Sequence, residues 1–118
     1  MSFARCCAVA YCLLMPATAG AAETAAATRT FDLAIANGKL AASSDVVRVE
    51  QGDAVELRWT SDMPMSIELH GYEIRAQIAP PTPAVMKFSA TIAGRFQVHA
   101  EGSGHGHATV LYFEVYPK

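Results

Sequence analysis

Beyond residue 12 the chain has no cysteine: Cys6, Cys7 and Cys12 are its full complement. A domain built from the remainder has no disulfide and no thiolate, which excludes a cysteine nucleophile and a thiolate metal ligand. Charge of one sign is also scarce. Nine basic and 11 acidic side chains leave a net charge of -2. Nothing forms the basic stripe that nucleic acid calls for, and nothing favours an anionic membrane surface. No stretch carries a convincing 3.6-residue hydrophobic period, so helices are not expected. There is no glycine-rich phosphate cradle, and Ser103, between two glycines, lacks the nucleophile-elbow pattern. Glu56, Glu68 and Glu114 read as the outward half of alternating strands. No catalytic constellation remains, and the expectation is a protein that is not an enzyme.

What is present begins with an export signal. Arg5 precedes an apolar run from Cys6 to Leu14, and Pro16 is followed by the small residues Ala17 to Ala22. This is the order of a secretory signal peptide, expected over residues 1–22 with cleavage near Glu23. The run is far shorter than the roughly 20 residues that span a bilayer, so no membrane anchor is expected after processing. Val9-Ala10-Tyr11 before Cys12 does not resemble a lipoprotein signal. Removing Arg5 takes the charge to 8 minus 11, or -3. The expected location is the periplasm. Residues 23–30 are small and polar and read as a flexible leader.

From Phe31 the pattern changes to two-residue alternation. Phe31, Leu33 and Ile35 share a face, and Asn37-Gly38 signals a turn. Val47 and Val49 alternate with Arg48 and Glu50; Val55, Leu57 and Trp59 alternate with Glu56 and Arg58. Ile67 and Leu69 alternate with Glu68 and His70, and Pro80, Pro81 and Pro83 mark a loop. Met86 and Phe88, then Phe96, Val98 and Ala100, then Leu111, Phe113 and Val115 complete the set. Seven or eight short strands at about ten-residue spacing imply an all-β Greek-key sandwich. Trp59, Phe88, Phe96 and Phe113 are its expected large core members.

All four histidines, His70, His99, His105 and His107, follow the signal segment, with Met63, Met65 and Met86 for company. Imidazole and thioether without thiol point to copper. His70 stands where a strand gives way to a loop. His105 and His107 flank Gly106 in a glycine-rich loop that can bend two imidazoles toward one ion. His99 lies opposite Val98 in parity and reads as a ligand or as a solvated face residue. Met63 and Met65 flank Pro64 among polar residues, which suggests a loop and admits Met65 as a ligand, although methionine more often fills a core. Met86 is expected in the core.

Taken in order, Val49-Glu50-Gln51-Gly52-Asp53-Ala54-Val55-Glu56-Leu57, Trp59, Leu69-His70-Gly71-Tyr72, Gly94-Arg95-Phe96-Gln97-Val98 and the histidine loop before Leu111-Tyr112-Phe113-Glu114-Val115-Tyr116-Pro117 resemble a known group. They are similar to the cupredoxin-like domains of bacterial periplasmic proteins, over residues 31–117. The resemblance implies a copper ligand at His70 and others in the loop of His105 and His107. It puts the cysteine of a blue-copper centre at Ala100, so rapid electron transfer is not implied. Similar sequences often read His-x-His-Gly-Tyr where this one has Glu68 before His70, and show glutamate before histidine where this one has His99 before Glu101. Each of these pairs shares one strand face. If the two strands are neighbours, four potential ligands meet on one surface. The main reading is copper handling or tolerance, with copper passed to a periplasmic copper-handling protein; the alternatives are a metal-free module docking an envelope partner and a small copper enzyme or an accessory part of one, for which only the histidines speak.

Overall fold

The computed structural model describes Gly20, residues 28–102 and residues 106–118. Apart from Gly20, the expected signal peptide lies outside the described residues, as do Glu23 and the candidate ligand His105. Nine strands and no helix are present among the described residues: β1 (Thr28–Ala36), β2 (Lys39–Leu40), β3 (Val46–Glu50), β4 (Ala54–Ser61), β5 (Met65–Leu69), β6 (Ile74–Ile78), β7 (Ala84–Ser89), β8 (Gly94–Gly102) and β9 (Ala108–Tyr116). They form a four-stranded sheet, β2-β1-β4-β7, and a five-stranded sheet, β3-β9-β8-β5-β6. Successive strands repeatedly change sheet, as a Greek-key sandwich requires.

Local chemistry explains the elements. Asn37 and Gly38 both have positive φ, 53° and 75°, the backbone of a tight two-residue hairpin, and they join β1 to β2 with Ala36 opposite Lys39. β1 begins three residues before Phe31. Thr28 to Thr30 pair in parallel with Ala54 to Glu56 of β4, so the backbone ladder orders part of the expected leader. β3 is likewise parallel to β9. The two strands beyond the seven read directly from alternation are β2 and β6.

The inward residues follow the alternation. Leu57, Trp59, Ile67, Leu69, Val98 and Phe113 are fully buried, and Met86 joins them as expected. Phe88 and Phe96 are only partly buried. They gather with Phe113 around Tyr72, whose ring centroid lies 5.1 Å from Phe88, 5.0 Å from Phe96 and 6.1 Å from Phe113. The Tyr72 hydroxyl donates to the Ile92 carbonyl at 2.7 Å and accepts from the Ile92 amide at 3.0 Å. This ties the turn after β5 to the loop before β8, the two segments that flank the candidate site.

Candidate metal centre

The outer face of the five-stranded sheet carries the chemistry. β5 pairs antiparallel with both β6 and β8. In that register Glu68 stands opposite His99 and Ser66 opposite Glu101. Two-residue parity turns Ser66, Glu68 and His70 outward from β5, and Gln97, His99 and Glu101 outward from β8. The expectation that Glu68, His70, His99 and Glu101 reach one surface is met.

His70 follows the last residue of β5, and its amide donates to the Gln97 carbonyl at 3.0 Å. Gly71 then takes φ +89°, and a Cβ there would lie 2.3 Å and 2.6 Å from two carbons of the Phe96 ring. Only glycine fits this bend without displacing Phe96, so Gly71 is part of what positions His70.

His70 Nε2 and His99 Nδ1 are 3.0 Å apart, and His99 Nε2 is 3.0 Å from Gln97 Oε1. The Gln97 oxygen accepts, so the His99 proton sits on Nε2 and its Nδ1 lone pair faces His70. Holding a ring by its far N–H is how proteins orient imidazole ligands. The ring centroids are 4.2 Å apart with planes at 61°. A collinear N–H···N bond would add a ring radius at each end of the 3.0 Å separation, so the rings are angled toward each other rather than in line. Both are half-buried.

Around this pair, Arg75 Nη2 lies 3.1 Å from each oxygen of Glu68, which engages that carboxylate. Glu101 and His107, both more than half exposed, approach to 3.6 Å. Desolvation lowers the His99 pKa, and the neighbouring His70 and His107 lower it further; Glu68 opposes them.

Met65 corrects the reading that placed it in a loop. It opens β5 and shares parity with Ile67 and Leu69, so it is 4% exposed and belongs to the core, on the other side of the sheet from His70. Ala100, at the cysteine position that the resemblance implies, is also buried, opposite Ile67. A blue-copper thiolate has no counterpart there. Among the described residues, no group of three or more histidine, aspartate or glutamate side chains is already gathered as a metal cage. His70 and His99 would fit copper as a partial site once their hydrogen bond opens: with the His70 proton moved to Nδ1, His70 Nε2 and His99 Nδ1 would both present lone pairs on the same side of the sheet.

Gln97 and Arg75 were not among the candidate residues. Parity with His99 was the available signal for Gln97, whereas Arg75 lies on β6, which the proline loop overshadowed in the sequence.

No protein-family model and no curated protein matches the sequence. Solved structures do match in fold. A chain of a heme-copper terminal oxidase dimer is similar over 74% of this chain, with a TM-score of 0.62 and 19% identity. A Cu-containing nitrite reductase from Thermus scotoductus is similar over 78%, with a TM-score of 0.61 and 20% identity. A copper binding protein solved in its apo form is similar over 75%, with a TM-score of 0.59 and 12% identity. The match spans 64% of the terminal oxidase chain and 28% of the reductase, but 87% of the copper binding protein. The sandwich is cupredoxin-like, and these neighbours are copper proteins.

Proposed function

We propose that the protein is a periplasmic copper-binding protein, exported by its N-terminal signal, that handles copper without catalysing a reaction. The His70–His99 pair carries this reading: two imidazole nitrogens 3.0 Å apart on an accessible sheet face, one ring held by Gln97. Structural neighbours named as a Cu-containing reductase and a copper binding protein support the choice of metal. Copper would be held by these imidazoles and passed to a copper-handling partner in the envelope. The half-buried position suits exchange better than permanent storage.

Titration of the purified protein with copper tests the proposal. One copper per chain is expected, with His70→Ala and His99→Ala each weakening it. Retention no better than by a generic surface histidine would overturn it. One observation favours the rival docking module: the two imidazoles already satisfy each other through a hydrogen bond. On that reading both alanine variants leave copper retention unchanged and lower only stability.

A further inference from the structure

Among the described residues, the fold sorts the donor atoms by chemical softness. On β5, Met65 points inward and is 4% exposed, while Glu68, and His70 just past the strand's end, lie on the outward parity. Met86 lies in the core at 2% exposure. Met63 packs against the core, its sulfur 3.7 Å from where a Cβ on Gly102 would lie. These three thioethers therefore lie in or against the core. The outer face offers imidazole nitrogen from His70, His99 and His107, and carboxylate oxygen from Glu101. The cysteine position is Ala100, a buried methyl group.

Soft thioether and thiolate ligands select Cu(I), whereas imidazole and carboxylate in a tetragonal arrangement suit Cu(II). From this segregation we propose that His70 and His99 bind Cu(II), with Glu101 as the oxygen donor, and that the protein discriminates against Cu(I). The inference rests on the copper reading above and adds the oxidation state. Glu101 follows His99 by two residues on the same strand face, about 6–7 Å along β8, and its only charged contact, 3.6 Å to the exposed His107, is a solvated one that it can exchange for an ion. Glu68 is the poorer donor because Arg75 engages both its oxygens. Zn(II) meets the same donors but ranks below Cu(II) in intrinsic affinity, so it should compete weakly.

The full purified chain is titrated separately with Cu(II), with Cu(I) under reducing anaerobic conditions and with Zn(II), each against a chromogenic chelator. Wild type is expected to hold one Cu(II), with a tetragonal paramagnetic resonance spectrum showing two coupled nitrogens. His99→Asn should remove one nitrogen from that spectrum and weaken Cu(II) by more than the roughly 10- to 100-fold that loss of an outer-shell partner costs. Glu101→Gln should keep both nitrogens, weaken Cu(II) and alter the spectrum. Met63→Leu with Met65→Leu should leave Cu(II) binding unchanged, and thermal melting confirms that each variant is folded. Cu(I) held more tightly than Cu(II), and lost in the paired methionine variant, overturns the oxidation-state inference while leaving a copper protein. Failure to hold either ion overturns the copper reading itself.

Discussion

Replacing Gly71 by alanine should be among the most damaging single-methyl changes in this domain. Two costs combine. The backbone at Gly71 has φ +89°, which costs an L-residue about 1–2 kcal/mol. The added Cβ would also lie 2.3 Å from one Phe96 ring carbon and 2.6 Å from another. The ring must move, and it is packed edge-on against Tyr72 at 5.0 Å. Overpacking of this kind costs about 1–3 kcal/mol. The total is about 3 kcal/mol, and at about 4–8 °C per kcal/mol for a domain this size the melting point falls by about 15 °C or more. Gly52→Ala separates the two costs: φ there is +95°, but nothing lies within 4 Å of the added Cβ, so it carries the backbone penalty alone. Phe96→Leu in the Gly71→Ala background should recover part of the loss by relieving the clash. Melting curves of the four proteins decide the matter. If Gly71→Ala is no more destabilising than Gly52→Ala, the argument that Phe96 and Gly71 jointly shape the His70 bend is refuted.

Tyr72→Phe removes a hydroxyl that both donates to and accepts from the Ile92 backbone. A loss of about 1 kcal/mol is expected in urea denaturation, at the low end because water can reach the freed groups. The unfolded His99 titrates at 6.5 and the folded one lower, chiefly through desolvation and then His70. Within that interval the unfolded chain binds more protons, so stability is complete above about 6.5 and declines as pH falls toward the folded value. His99→Gln should flatten this part of a pH series of denaturation midpoints. Met65→Leu should cost less than about 1.5 kcal/mol by the same melts and leave copper retention unchanged, as a volume-conserving swap in the core does. Gln97→Leu should leave the fold intact but weaken copper by about 10-fold or more in a chelator competition, because His99 loses the acceptor that orients it.

The alternation of Val55, Leu57 and Trp59 was enough to place β4, because a half-buried strand writes its two faces directly into the chain. The hairpin at Asn37-Gly38 was equally plain. The start of β1 was not, since Thr28 to Thr30 are all exposed and owe their order to pairing with β4. At the site, parity correctly joined Glu68 with His70 and His99 with Glu101, yet their meeting depends on β5 and β8 being neighbours, a long-range fact. Met65 misled because Pro64 and the surrounding serine and aspartate look like a loop; the strand begins one residue after the proline. The contact between His70 and His99 lay beyond pattern reading altogether. It requires the bend at Gly71 and the hold of Gln97, both products of tertiary packing.

An anomalous-scattering map of copper-soaked crystals tests the central claim most directly. The account predicts a copper peak on the outer face of the five-stranded sheet, about 2.0 Å from His70 Nε2 and from His99 Nδ1. A peak bound instead by Met63 or Met65 beneath that sheet, or no peak on the protein at all, would contradict it.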